Sequence, residues 1–411
     1  MKACFKSTNI LLPKKNTNMY QWSVVACDQY TSQEDYWKEV ENIVKDEPST
    51  LNLIFPEVYL GKDDHRIDDV HQKMKEYIDD HILEETIQDG FVLVERKTES
   101  GTRLGLVGVI DLEDYDFTPG SSSLIRATEG TIQSRIPPRL KIREGASIEL
   151  PHVMVLIDDP KKQLIEPLFE QKEELSTLYD TDLMLKGGHI KGYAITDEKA
   201  EEVNQLLYTL QQQSQGFFLA VGDGNHSLAT AKAYWENVKK DLPLDLQKDH
   251  PARFAMVELV NLHSPALIFE PIHRVLFNVD VEDFTNQFMN NLKMQGIQYV
   301  DGHDIVVISK DKELAISLSH INDRLPVDVL QHFIDEYIES HREITVDYVH
   351  GDEALLTLGK KEENCGIRLG AIDKNALFPA VAAGGVLPRK TFSMGEAHEK
   401  RYYVECRKII K

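Results

Sequence analysis

The chain has 411 residues, 42% apolar and 28% charged, which excludes a disordered or collagen-like polymer and leaves room for two or three domains at roughly 150 residues each. Its formal net charge of −22 repels polyphosphate except where basic residues are concentrated, so nucleic acid is not the expected partner. No run reaches the ~18 to 20 apolar residues of a membrane helix, and no membrane partner is expected.

The first ten residues, MKACFKSTNI, lack the apolar stretch of a signal peptide. Cys4, Cys27, Cys365 and Cys406 form no CxxC pair, so a reduced, cytoplasmic protein is expected. Leu11 to Pro13 read as extended and Trp22 to Cys27 as a short strand running into the turn Asp28-Gln29-Tyr30. Glu34 to Val44 has the acidic first turn of a helix. Ile67, Val70, Met74, Ile78 and Ile82 recur at spacings of three and four and predict a helix over 66–88. Gly90 to Glu95 and Arg103 to Ile110 flank Glu99-Ser100-Gly101 as an antiparallel hairpin. His152 to Ile157 reads as strand and 161–180 as helix. Next come a helix Glu201 to Gln213, a buried strand Phe217 to Val221, the turn Gly222-Asp223-Gly224-Asn225 and a helix His226 to Lys239 with Leu228, Ala231, Trp235 and Val238 on one side. Strands Arg253 to Leu262 and Ala266 to Phe269 follow. Beyond about 276 the pattern changes to a second α/β unit, with helices Phe284 to Leu292 and Val327 to Ser340 and a strand Ile305 to Ser309. The division expected is therefore 1–276 and 277–411.

Three constellations carry chemistry. The strand–turn–helix at 217–239 sets glycines where backbone approaches a ligand, and the helix start offers free N–H groups to a phosphate. Asp223 is a candidate for Mg²⁺ or a hydroxyl, and His226 for a phosphate oxygen or a proton. Gly222, Gly224, Asn225 and Ser227 complete the loop. The plain alternative is a tight turn with Asn225 as helix cap and His226 on the surface. From Pro119 to Arg143 the cations Arg126, Arg135, Arg139, Lys141 and Arg143 face Glu129 alone, a local +4 in an acidic chain. Guanidinium forks there suit an anionic small molecule, and Glu129 suits a base that deprotonates a hydroxyl attacking a phosphoryl group. The same arginines equally fit ordinary salt bridges. Leu267 to Arg274 ends in His273-Arg274, able to reach an anion or simply structural.

In order along the chain, these segments resemble the bacterial and archaeal domain of unknown function 1015 family over nearly the whole length. Arg126-Ala127-Thr128-Glu129-Gly130-Thr131 resembles its Arg-x-x-Glu-x-Thr block, and 152–160 its strand with an Asp-Pro end. Asp223-Gly224-Asn225-His226-Ser227 is similar to its Asp-Gly-His-His-Arg block. Leu267 through Arg274 and Pro388 to Thr391 resemble its Leu-x-x-x-Pro-x-His-Arg and Pro-x-Lys-Thr blocks. Two departures stand out: Asn225 replaces a His and Ser227 an Arg. The Asp-Gly-x-His turn further resembles the phosphate element of the ParB/sulfiredoxin-like fold, whose members bind nucleotides and include serine kinases. The resemblance implies an α+β fold, a ParB/sulfiredoxin-like mixed-sheet domain with large insertions plus a smaller C-terminal α/β unit. It implies ATP or ADP with Mg²⁺ held by Asp223, phosphate or substrate contacts from Arg126, Thr131, Arg135, Arg139, His273 and Arg274, and catalysis by Glu129, Asp223 and His226. A Mg²⁺-dependent small-molecule kinase, a nucleotide hydrolase and a non-catalytic nucleotide- or anion-binding regulator all fit, and a homo-oligomer is left open.

Overall fold

The computed structural model describes residues 2–62, 65–321 and 324–410. Its residues form two compact units, one of 1–268 with 395–411 and one of 269–394.

The first unit is built on strands β1 (Phe5–Lys6), β2 (Thr8–Pro13), β3 (Leu83–Thr98), β4 (Gly101–Asp111), β5 (Tyr115–Asp116), β6 (Ile125–Ala127), β7 (Ile148–Glu149), β8 (Met154–Ile157), β9 (Thr177–Leu183), β10 (Gly188–Ile195), β11 (Leu219–Asp223) and β12 (Phe254–Asn261). All but β7 join one sheet, ordered β5-β6-β11-β8-β12-β4-β3-β10-β9, with β1 on β4 and β2 on β3. β6 runs parallel to β5 and β11, and β8 parallel to β12; the other pairs are antiparallel, so the sheet is mixed.

Alternate residues of β3 enter different cores: Phe91 and Leu93 pack with one apolar cluster, Val92 and Val94 with another. Burial on both faces is why this stretch reads as an unbroken apolar run instead of alternating. Helices α1 (Met19–Trp22), α2 (Glu34–Val44), α3 (His65–Asp79), α4 (Ile136–Arg143), α5 (Ile165–Glu170), α6 (Asp197–Gln213) and α7 (Asn225–Val238) surround the sheet. α6 lays Ala200, Val203 and Leu207, and α7 Leu228, Ala231 and Trp235, on the Phe91 face. α2 covers the opposite face with Trp37, Val40 and Val44.

Four expectations change, the first being the strand expected over Ala266 to Phe269, where the chain is turn and loop up to Ile268 and a strand begins only at Phe269. The helix expected over 66–88 ends at Asp79, because His81 turns to a φ of 53° and the chain enters β3 at Leu83. Residues 161–180 hold only the short α5 and a single turn before β9, whose Thr177-Leu178-Tyr179 favours extended backbone. The strand expected over 22–27 reduces to an isolated bridge from Val25 to Tyr402.

In the second unit, β13 (Phe269–Pro271), β14 (His273–Phe277), β15 (Gln298–Ile308), β16 (Glu313–Ser319), β17 (Thr345–Val349), β18 (Asn364–Leu369) and β19 (Phe392–Met394) appear. Five of them form an antiparallel sheet in the order β16-β15-β18-β14-β17. The helices Val281–Met294 and Pro326–Ser340 meet through Phe284, Phe288, Phe333 and Tyr337. The expected boundary at 276/277 would cut β14, whose Val275 and Leu276 are fully buried. The compact units divide instead before Phe269 and again before Gly395, a return that no sequence signal marks.

Residues 395–410 complete the first unit. Cys406 bridges to Leu11, and β20 (Arg407–Lys408) pairs with β7. Arg401, 2% exposed, is ion-paired to the fully buried Glu258 and bonds Glu405 at 2.5 Å, while the Tyr179 hydroxyl donates to Glu405.

Candidate functional site

The site grows from the end of β11. Val221 pairs with Val155 and Asp223 with Met154, so Gly222 is the bulged residue that redirects the chain. Gly224 follows at a φ of 80°, left-handed backbone that glycine adopts without strain, and α7 begins at Asn225. No side chain caps this helix, and Leu228 N–H is the first to return to the loop, at 3.0 Å from Gly224 O. The opening turn of α7 thus offers the amides that an α-helix leaves without intrahelical partners. The alternative of Asn225 as helix cap is corrected: Gly224 holds that position, and Asn225 is only 9% exposed with a buried Oδ1 that has no hydrogen-bond partner.

Asp223 is fixed on both oxygens. Oδ1 accepts from Gly224 N–H at 3.0 Å, and Oδ2 lies 3.0 Å from Lys400 Nζ. Burial alone would raise its carboxyl, but the Lys400 ammonium, aided by His152 and the Gly224 amide, holds it below the usual range. His226 Nε2 accepts from Ile132 N–H at 3.2 Å, which puts the ring proton on Nδ1. Burial, with Arg135 and Arg139 adding to it, pushes the imidazole down to about 4, so at neutral pH His226 is an uncharged donor.

The 119–143 segment meets this loop along β6. Thr128 Oγ1 donates to Val221 O at 2.6 Å, which leaves the half-buried Glu129 at the same carboxyl end of the parallel pair β6/β11 as Gly222. Ligands of open α/β sheets gather at such strand ends. Thr131 Oγ1 is buried without a hydrogen-bond partner, one residue from the amide that meets His226.

The arginines divide. Arg139 grips Glu57 through Nε, at 2.7 Å, and Nη2, and donates from Nη1 to Arg135 O, while Arg143 pairs with Glu149. Arg135 is exposed. Arg126 does not join the loop as expected: its guanidinium donates to Ser123 O and Gly216 O and lies 4.4 Å over Phe217, at the opposite end of β11. His273 and Arg274 are buried inside the second unit. Arg274 is fully buried and donates to Gln331, Ile272 O and Lys390 O, and His273 Nδ1 accepts from Leu369 N–H. These bonds hold β14 and give both residues structural work in place of the expected anion contact.

Four groups that sequence reasoning passed over complete the cluster: Asp28, His152, Lys400 and Tyr403. His152 Nδ1 shares a 2.7 Å bond with the Tyr403 hydroxyl, and its Nε2 is 3.9 Å from Asp28 Oδ2. Tyr403 also donates to Cys27 Sγ at 3.1 Å. A cavity of about 130 Å³ opens beside them, lined by Ser227 and Thr230 of α7 and by Glu57, Arg139 and His152.

Among the described residues no three His, Cys, Asp or Glu side chains come together as a metal centre. A Mg²⁺ held by one carboxylate and substrate phosphates needs fewer protein ligands, but here both Asp223 oxygens are committed, one of them to an ammonium. The donor set as built does not fit a divalent ion at Asp223.

The model of a family described as "Protein of unknown function (DUF1015)" matches residues 8–342. The chain belongs to this family. No curated protein matches it. Among solved structures, a free serine kinase in complex with AMP is 12% identical, with a TM-score of 0.36, and the match covers 73% of this chain and 91% of that one. A conserved hypothetical protein from Pyrococcus furiosus is 12% identical, with a TM-score of 0.35 and coverage of 73% and 94%. SbnI from Staphylococcus aureus, with a C-terminal truncation, is 8% identical, with a TM-score of 0.36 and coverage of 70% and 83%. The DUF1015 match stops at 342, so Lys400 and Tyr403 lie beyond the matched residues. No helix among the described residues is long and apolar enough to cross a membrane.

Proposed function

We propose that this DUF1015 protein binds the phosphate of ATP or ADP at 222–227 and transfers a phosphoryl group to a small-molecule hydroxyl, on a sheet of ParB/sulfiredoxin-like descent. The observation that carries the reading is the uncapped start of α7 behind left-handed Gly224, with two unpartnered buried oxygens, Asn225 Oδ1 and Thr131 Oγ1, close by in the same cluster. Free amides and partial positive charge suit phosphate, and the two acceptors call for donors such as ribose or substrate hydroxyls. His226 supplies Nδ1–H as a neutral donor, and Arg135 adds positive charge nearby.

In the proposed reaction the acceptor hydroxyl gives its proton to the Glu129 carboxylate as its oxygen bonds to the terminal phosphorus. The bond from that phosphorus to the bridging oxygen breaks, and the shortened nucleotide leaves with that electron pair. A second reading, a nucleotide-sensing regulator without turnover, draws on Ser227, which offers a hydroxyl where the family block carries a guanidinium. The net charge of −22 argues against nucleic acid as partner in either case.

Nucleotide binding and nucleotide consumption across a panel of small hydroxyl acceptors test these readings together. Turnover that Glu129→Gln lowers by about a hundredfold or more, with binding intact, supports the transferase. Binding with no turnover in either protein leaves the regulator, and failure of any nucleotide to bind or raise the melting temperature removes both.

A further inference from the structure

Among the described residues, the cation that pairs with the loop's Asp223 comes from far along the chain. Lys400 Nζ sits 3.0 Å from Asp223 Oδ2, its side chain 13% exposed. Its backbone is held on both sides. Lys400 N–H bonds Ala397 O, and the next residue, Arg401, is locked to Glu258 and Glu405 and accepts from Ala26 N–H. The ammonium is therefore stationed beside the first turn of α7, because Asp223 adjoins Gly224 and accepts its amide. An ammonium carries three donors on a compact charge, so one given to Asp223 leaves donors for phosphate oxygens. A divalent ion seeking Asp223 would meet a like charge already in place.

Resting on the phosphate-site reading above, we propose that Lys400 is an anion-binding residue of this site, its ammonium taking the place of a divalent cation, so that a nucleoside diphosphate binds without metal. Asp223 then acts as the residue that positions Lys400, not as a metal ligand. The plain alternative is a salt bridge that only fastens residues 395–410 to the loop.

Calorimetric titration of the full chain with ADP, in excess EDTA and in excess Mg²⁺, separates the two. The wild type is expected to bind with dissociation constants within about threefold of each other in the two buffers, Lys400→Met to bind more than about tenfold more weakly in both, and Lys400→Arg to keep most of the affinity. Wild-type binding that appears only with Mg²⁺, or a folded Lys400→Met protein that binds as the wild type does, overturns the assignment of Lys400 alone. If the wild type takes up ADP in neither buffer, the phosphate site itself falls and this inference with it. The comparison of buffers on the unaltered protein decides the question even if Lys400→Met does not fold.

Discussion

Gly224 lies so close to Val153 that a Cβ on it would come 3.0 Å from Val153 Cγ2 and 3.1 Å from Val153 Cα. The second contact is backbone of the neighbouring β8 segment and cannot swing aside. Left-handed φ costs an alanine roughly 1–2 kcal/mol before the clash is counted. Gly224→Ala should therefore lower the urea midpoint by at least that equivalent and weaken nucleotide binding together with it. Unchanged stability would show that the turn relaxes freely and does not hold the opening of α7 in place.

His226 sets a pH dependence. In the unfolded chain its imidazole titrates near 6.5 and in the folded protein at about 4. Between these values the unfolded state holds the extra proton, so stability rises with pH through this window and is lost as pH falls from about 6.5 towards 4. In His226→Gln the gap between urea midpoints measured at about pH 4.5 and about pH 7 should shrink. An equal gap in both proteins would mean that the ring is hydrated enough to protonate in place.

Arg401 neutralises two fully buried carboxylates, Glu258 and Glu405. Removing one partner of such a network strands the others, at about 3–5 kcal/mol. Arg401→Met should show that loss in chemical unfolding, and Arg401→Lys should recover little of it, since a single ammonium cannot reproduce the planar fork that meets both acids.

The thiols should be inert. Burial raises Cys4, Cys27, Cys365 and Cys406, with Asp28 and Glu57 adding to the effect at Cys27. Thiolate is the reactive form. A thiol-colouring reagent at mildly alkaline pH should therefore report almost nothing until denaturant is added, and then all four. Rapid labelling of Cys27 in the native protein would contradict the packing of Tyr403 against it.

Local order was legible where local forces decide it. The acidic first turn of Glu34–Val44, the hairpin at Glu99-Ser100 and the β11–α7 junction follow from first-turn charge, turn chemistry and periodicity within a few residues. His226, picked from one motif block, accepts from the amide of Ile132, the residue that follows Thr131 of another. Partner choice was not legible. Arg126 and Arg139 read alike in sequence, yet one stacks on Phe217 and the other clasps Glu57, because strand direction and a helix turn aim them differently. Arg274 shows the same limit, its guanidinium consumed by carbonyls of its own unit. Lys400 carries no motif, and only the return of 395–410 to the first unit brings it to Asp223.

That return has a bearing on synthesis. A nascent chain that has emerged as far as Asn261 owns most of the large sheet, but Glu258 has Arg103 3.9 Å away and still lacks Arg401, and Asp223 still lacks Lys400. The ribosome must first deliver 269–394, which has its own aromatic core, before the counter-charges arrive. Domains tend to fold as units in order of emergence; here the earlier unit cannot complete these two ion pairs until 395–410 has returned to it.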